Sequence, residues 1–284
     1  MKKLFLLIAL TGMIATSCDD FFEEDYGDLT KIWYTTTDGE IAEPYLESGI
    51  AFGGADILSN NYSSGQGIIR FDGEVTHIGL CAFRNCGNLE SIILPNSVKW
   101  IRESAFENCG NLESITIPNG LITIRSNAFS SCKSLKSITI PDGVTTIDNE
   151  TFRGCSSLES VSLGNGLTNI GYSAFRGCSS LKSVTIPDNV TTVAESAFNT
   201  CKMLESVTLG NGIKMIEYCA FDNCSSLKSV YCKATTPPDF MGAYHFKGRA
   251  SDCKFYVPTK SVSAYKNDVS WRQFADHIVG YDFE

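Results

Sequence analysis

The sequence predicts a repeat solenoid of the α/β type, in which each repeat of 23 residues contributes one short parallel β-strand. Phenylalanine recurs at this fixed spacing, at Phe83, Phe106, Phe129, Phe152, Phe175, Phe198 and Phe221, and Phe246 follows after 25 residues. Each repeat also carries a segment of alternating apolar and polar residues, followed by turn-forming residues. A unit of this size cannot bury its own apolar face, so the repeats must stack on one another.

The N-terminus, residues 1–17, predicts a lipoprotein signal peptide. Two lysines precede an apolar run that ends at Ala15 and is too short to span a bilayer permanently. The segment "ATSC" resembles a bacterial lipobox, in which a signal peptidase cuts before the cysteine. Cys18 would then carry a diacylglycerol, which implies an exported protein that is anchored to the outer membrane. The alternative is an ordinary signal peptide followed by a chance cysteine.

Residues 18–30 are expected to form a lipidated acidic tether. Their stretch "DDFFEED" looks like the export signal of surface lipoproteins in Bacteroidetes-type bacteria, which favours exposure at the cell surface. A charge run is also typical of a simple solvated tether, and that alternative stays open.

Both flanks of the repeats predict caps, which a solenoid needs to protect its open ends. Residues 31–74 contain β-rich runs around two Asp-Gly turns and predict a β-rich N-terminal cap. Residues 247–284 contain a strand that ends at Pro258, a short helical pattern and Trp271. We therefore expect a C-terminal cap with a short helix, and Trp271 covering the last rung.

The solenoid itself is expected over residues 75–246, in seven repeats of the 23-residue type. The segment "L-x-x-I-x-I" predicts a half-buried strand, as at Leu112, Ile115 and Ile117. Proline or glycine follows, then asparagine or aspartate, so the chain turns after the strand. A second apolar pair, such as Val144 and Ile147, lines the next side of the rung.

The repeat pattern "AFxxCxxLxSIxIPxxVxxI" is similar to that of the BspA-type leucine-rich repeat proteins, also called treponemal-type. The resemblance covers Val75 to Phe246, and at least nine columns agree over seven copies. It implies a right-handed leucine-rich-repeat solenoid with a curved parallel sheet. It also implies a cell-surface protein that adheres to host matrix proteins, other bacteria or surfaces. No catalytic residues come with this family.

Charge and chemistry argue against other classes of function. The formal net charge of −9 argues against a nucleic-acid partner. The three histidines, His77, His245 and His277, are far apart in sequence, and no HExxH, GxSxG or paired C-x-x-C motif occurs. We therefore predict no enzyme activity, no metal and no cofactor, and a membrane contact only through the lipid.

Seven cysteines also recur at intervals of 23 residues: Cys86, Cys109, Cys132, Cys155, Cys178, Cys201 and Cys224. An exported protein invites a disulfide interpretation, but this column suits a small inward-facing residue, and an odd number cannot pair fully. We expect buried free thiols. If "DCKFYVP" continues the sheet in register, Cys253 lies beside Lys228, too far from Cys232 for a disulfide.

Candidate partner-binding residues are the exceptions in the repeat columns: Trp100, Met203, Met215, Ile93 and Tyr231. Trp100 and Met215 replace threonine or asparagine, Met203 replaces asparagine or serine, and Ile93 and Tyr231 replace threonine or serine on the sheet face. Exposed aromatic residues are favoured interface anchors, so Trp100 is the first choice. For Ile93 and Tyr231 the alternative is packing against the caps.

These observations predict a non-catalytic surface protein that binds a protein or surface glycoconjugate on a host cell, in matrix or on a neighbouring bacterium. The competing hypothesis is a structural or envelope-assembly lipoprotein with no external ligand.

Overall fold

The structure, a computed structural model, describes residues 27–45 and 51–283. The predicted signal peptide, Cys18 and most of the predicted acidic tether lie outside the described residues. Within these two ranges, no helix combines the length and the apolar character that crossing a membrane requires.

The described residues form the predicted solenoid of stacked parallel strands. Three strands come first, β1 (Lys31–Thr36), β2 (Ile57–Ser63) and β3 (Gln66–Phe71). The rungs then alternate short and longer strands: β4 (His77–Ile78), β5 (Leu89–Ile93), β6 (Trp100–Ile101), β7 (Ser114–Thr116), β8 (Thr123–Ile124), β9 (Ser137–Thr139), β10 (Thr146–Ile147), β11 (Ser160–Ser162), β12 (Asn169–Ile170), β13 (Ser183–Ile186), β14 (Thr192–Val193), β15 (Ser206–Leu209), β16 (Met215–Ile216), β17 (Ser229–Cys232), β18 (Asp239–Phe240) and β19 (Lys254–Pro258). The chain ends with a 3-10 turn (Thr259–Ser261), helix α1 (Val262–Asn267), a 3-10 helix (Trp271–His277) and strand β20 (Ile278–Tyr281).

The odd-numbered strands from β5 to β19 form the main column, which contains the predicted "L-x-x-I-x-I" segment. Equivalent residues stand opposite one another, as Ser183, Ser206 and Ser229 do. In β13 the valine and isoleucine are buried while the serine and threonine are exposed. The main column therefore has an apolar inner face and a hydroxyl-rich face toward solvent.

The even-numbered strands from β4 to β18 form a second column, which the sequence indicated only as an apolar pair. Eight parallel two-residue strands follow one another here without a break in the ladder. Ile147 is buried between Ile124 and Ile170, and the residue before it, Thr146, lies at the surface. Each rung thus has two solvent-facing strips.

Both caps are of the predicted kinds. β1 pairs antiparallel with β3 on one side and with β5 on the other, so that the N-terminal β-sheet continues the main column. At the other end β20 pairs in parallel with β19. The side chain of Trp271 is fully buried, and its Nε1–H donates a hydrogen bond to the carbonyl oxygen of Pro238 at 2.7 Å.

The rung phenylalanines form one continuous stack through the core. Their side chains are almost fully buried, and successive ring centroids lie 5.1–5.3 Å apart with planes within 12° of parallel. Burial of each ring stabilises the fold by roughly 1.5–3 kcal/mol. The stack and the backbone hydrogen bonds between rungs together keep the rungs in register, so every solvent-facing column repeats at the same spacing.

Candidate binding surfaces

From Cys109 onward the cysteine column lies inside the solenoid and forms a row of hydrogen-bond donors. The prediction of a buried thiol is wrong for Cys86, which is half-buried in the first rung and donates to the carbonyl oxygen of Glu43 at 3.4 Å. Each thiol from Cys109 to Cys224 donates to the carbonyl oxygen of the phenylalanine one rung earlier, at 2.9–3.3 Å. Burial raises the pKa of Cys155 and of Cys224 to about 12. Because the thiolate is the reactive form, these side chains contribute structure and not chemistry.

The remaining cysteines are also free among the described residues. Ser229 pairs with Lys254, so Cys253 lies beside Lys228, as the sequence register predicts. Cys232 contacts the hydroxyl of Tyr265 at 3.2 Å instead of a second sulfur.

The three histidines lie in separate places and each makes structural contacts. His245 stacks on Phe240, and a ring nitrogen of His277 is 2.9 Å from the carbonyl oxygen of Cys253. His77 stacks on Trp100. In residues 27–45 and 51–283, no three His, Cys, Asp or Glu side chains are close enough together to hold a metal ion.

Trp100 lies on the solvent side of the second column, where β6 follows β4. Its indole and the imidazole of His77 are stacked with centroids 4.4 Å apart and planes 21° from parallel. The hydroxyl of Thr76 lies 2.9 Å from Nδ1 of His77 and helps to fix the orientation of the imidazole. Both rings are half-buried, because each strand exposes its first residue and buries its second, here Ile78 and Ile101.

One cation lies near this ring pair, and an apolar side chain and a second cation follow on the next rung. Burial, with a smaller contribution from the nearby Arg102 guanidinium, lowers the pKa of His77 and so favours the neutral imidazole. Arg102 is exposed and, among the described residues, pairs with no carboxylate. On the next rung Ile122 is 49% exposed and Arg125 pairs loosely with Asp148 at 3.5 Å.

A shallow groove of about 380 Å³ adjoins these cations. It is lined by Leu80, Arg102, Glu103, Arg125, Ser126 and Asp148. We call the ring pair, its flanking arginines and Ile122 the tryptophan patch. It combines half-exposed aromatic rings and the exposed Ile122 with one unpaired guanidinium, that of Arg102.

The other candidate residues lie elsewhere. Met215 is in the same column as Trp100 but five rungs away, which is about 24 Å at the usual strand spacing. Met203 is 48% exposed on the turn before β15. Ile93 lies opposite Trp33 of β1, and Tyr231 stacks on Tyr256 of β19.

The five candidates therefore do not form one site. Ile93 and Tyr231 both contact caps, as the alternative interpretation expects, and six rungs separate them. His77 and Ile122 were missed by the sequence argument. His77 could have been found by aligning the repeats, because it occupies the position equivalent to Trp100 in the preceding rung.

The chain was also compared with known proteins. A family model for the BspA type leucine-rich repeat region matches in six copies, over residues 61–157 and 122–252. No match was found among the curated proteins.

Several solved structures are similar. A leucine-rich repeat protein from Eubacterium ventriosum has 26% sequence identity and a TM-score of 0.53. The match covers 61% of this chain and 46% of that one, so this chain spans less than half of that protein. A leucine rich cell surface protein from Faecalibacterium prausnitzii has 22% identity and a TM-score of 0.47, with 74% of this chain and 77% of that one covered. A leucine-rich repeat protein from Bacteroides ovatus has 23% identity and a TM-score of 0.42, with 90% and 81% covered.

Proposed function

The chain belongs to the BspA-type leucine-rich repeat family, and on that premise we propose that it is a surface-anchored protein that binds another macromolecule without catalysis. Proteins of this family are typically surface proteins that engage other proteins, and their repeats serve as binding scaffolds. The partner is a protein on a host cell, in matrix or on a neighbouring bacterium. The continuous phenylalanine stack and the backbone ladders support this role, because they hold the surface columns at a regular spacing for a partner to recognise.

The proposed anchor is the lipid on Cys18, followed by the acidic tether. Two or three acyl chains bury many methylene groups at about 0.8 kcal/mol each, which is enough for stable attachment to a membrane. The acidic residues after Cys18 would direct the protein to the outer face of the outer membrane and hold the solenoid away from the lipid.

Replacement of Cys18 tests this anchor. The Cys18→Ala variant should appear in the soluble fraction, whereas the unmodified chain stays with the membranes. Protease added to intact cells should remove the solenoid from the anchored protein. Membrane retention of the variant would contradict lipidation, and full protection from protease would favour the competing role in envelope assembly.

The tryptophan patch is the proposed contact surface for the protein partner. The observation that carries this choice is the stacked His77–Trp100 pair, which is half-exposed and flanked by the unpaired Arg102. Aromatic rings and arginine are the side chains most enriched at interface centres. The groove beside the rings carries two arginines and two carboxylates, so its formal charges cancel, and the unpaired Arg102 is the group left to bind one acidic side chain of the partner beside the apolar anchor.

The matched variants Trp100→Thr and Met215→Thr test the patch. Threonine is the residue that other rungs carry in this column, at Thr123, Thr146 and Thr192, so the fold tolerates it. We expect Trp100→Thr to weaken the capture of a matrix or bacterial protein at least tenfold, and Met215→Thr to leave it within twofold. Thermal unfolding measures whether each variant is folded. Equal effects of the two substitutions would contradict the proposal.

A further inference from the structure

We propose that the main column carries a second binding site, for a neutral sugar chain, in which Tyr231 forms a wall beside a floor of serine and threonine hydroxyls. This site lies on a different column from the tryptophan patch. It adds a ligand class to the proposed protein binding and does not depend on it.

The orientation of Tyr231 follows from its stacking. Its ring centroid lies 4.6 Å from that of Tyr256, with planes 12° from parallel, and the two residues are register partners on adjacent strands. This separation is close to the spacing of the strands themselves, about 4.8 Å. The ring planes therefore lie perpendicular to the axis along which the rungs stack. One face of Tyr231 is covered by Tyr256, and the opposite face looks toward the rung of Thr208.

Tyr281 does not cover this second face. Its centroid lies 5.4 Å from that of Tyr231 and 5.8 Å from that of Tyr256, at interplanar angles of 70° and 72°. A ring on the far face of Tyr231 would be much farther from Tyr256 than from Tyr231. The nearly equal distances place Tyr281 beside the pair, where it supports both rings. In the described part of the chain, no other ring contacts Tyr231.

Small hydroxylated side chains lie in front of the open face. Thr208 is the register partner of Tyr231 on β15, and Thr185 is its equivalent on β13. Ser206 and Ser183 stand two residues earlier on the same strands. A threonine side chain is too small to cover a six-membered ring. The arrangement is a flat aromatic wall that meets a floor of hydroxyls at a right angle.

These two surfaces match the two surfaces of a pyranose. The C–H groups of a sugar ring carry partial positive charge and pack against the negative face of an aromatic ring. The sugar hydroxyls both donate and accept hydrogen bonds. Serine and threonine hydroxyls can also act as donor or acceptor, so they can pair with either. A chain extending from the wall along the column would meet equivalent hydroxyls on each rung, about every 4.8 Å.

The charge of this surface favours a neutral ligand. From β7 to β15, the two positions equivalent to Ser206 and Thr208 hold only serine or threonine. No ionisable side chain therefore stands in these two columns. The neighbouring column alternates in sign, with Lys182 bonded to Glu159 at 2.6 Å and followed by Glu205 and Lys228. Opposite charges on adjacent rungs largely cancel, so neither an anionic nor a cationic polymer gains from the site.

Affinity electrophoresis of the full-length, detergent-solubilised protein tests the proposal. The gels contain soluble galactomannan, xyloglucan or dextran, with polygalacturonate as the charged comparator. We expect at least one neutral polysaccharide to slow the protein. The Tyr231→Thr variant should bind that polysaccharide at least tenfold more weakly, and Tyr231→Phe, which keeps the ring, should stay within threefold of the original protein.

One further variant separates loss of binding from loss of folding, and a second separates the two proposed sites. Thr185 is exposed, so Thr185→Arg should obstruct the floor and reduce sugar binding without changing the thermal unfolding temperature. Trp100→Thr should bind sugar normally, which distinguishes this site from the protein-binding patch. The proposal is overturned if no neutral polysaccharide slows the protein, if polygalacturonate alone does so, or if Tyr231→Thr and Thr185→Arg bind as the original protein does.

Discussion

Two residues in every rung adopt a backbone conformation that most side chains disfavour. They stand two positions before and two positions after the phenylalanine, as Glu150 and Gly154 do around Phe152, with φ of 57° and 72°. The chain reverses there so that alanine and phenylalanine point inward together. Many rungs use asparagine or glycine at these positions, which tolerate positive φ best, and several others use serine.

Thr200 is the exception in the second of these positions, and we expect its replacement to stabilise the protein. Its φ is 61°, and a β-branched side chain is especially disfavoured in this region. Thr200→Gly should raise the free energy of unfolding by about 0.5 kcal/mol, because relief of backbone strain exceeds the added entropy of glycine and the loss of the partly exposed hydrogen bond from the Thr200 hydroxyl to the carbonyl oxygen of Asn199. Urea denaturation measures the change.

A substitution at the equivalent glycine is the control. A Cβ atom on Gly177, at the same position one rung earlier, would come no closer than 3.7 Å to its neighbours. Gly177→Ala adds only this atom, so the loss of stability reports backbone conformation without steric overlap, and we expect about 1–2 kcal/mol. If both substitutions left the unfolding free energy unchanged, these turns would not be strained.

At the scale of the elements, the main column was predictable because each strand shows a period of two over several residues. The second column was not, since a two-residue strand is shorter than one full period and leaves only an apolar pair such as Val144 and Ile147. The register of β19 was predictable from "DCKFYVP", and it already places Tyr256 next to Tyr231.

The candidate surfaces were predictable only in part. Trp100 and Tyr231 can be identified from the sequence alone, because each differs in type from the equivalent residues of the other repeats. Their surroundings depend on neighbouring rungs, because His77 reaches Trp100 and Tyr281 reaches Tyr231 across residues distant in sequence. The exposure of side chains at the two ends of the solenoid was also hard to predict. Ile93, for example, lies opposite Trp33 of the cap strand β1, and the repeat pattern does not indicate that β1 pairs with β5.

The whole molecule contains a continuous inner layer of six thiols, from Cys109 to Cys224, bonded to the phenylalanine carbonyls. In a solenoid, stability is a sum over neighbouring rungs, so a condition that weakens every interface equally acts on the entire chain. Alkaline pH is such a condition, because burial raises the pKa of each of these thiols.

We therefore expect the free energy of unfolding to fall steeply above about pH 9. An unfolded cysteine loses its proton near pH 8.5, whereas Cys155 and Cys224 keep theirs to about pH 12 in the folded state. Between these values the folded state binds more protons, so each thiol removes up to about 1.4 kcal/mol of stability per pH unit. Buried Tyr265, whose pKa is also raised, acts in the same direction.

Urea denaturation at intervals from pH 7 to 11 measures this dependence. The unfolding free energy should be flat up to about pH 8 and then decline with increasing slope. The double variant Cys155→Ala and Cys178→Ala should start from a lower stability but decline less steeply, because two of the titrating groups are gone. Equal slopes in the variant and the original protein, or a free energy that is constant to pH 11, would mean that the thiol layer does not couple the stability of the solenoid to pH.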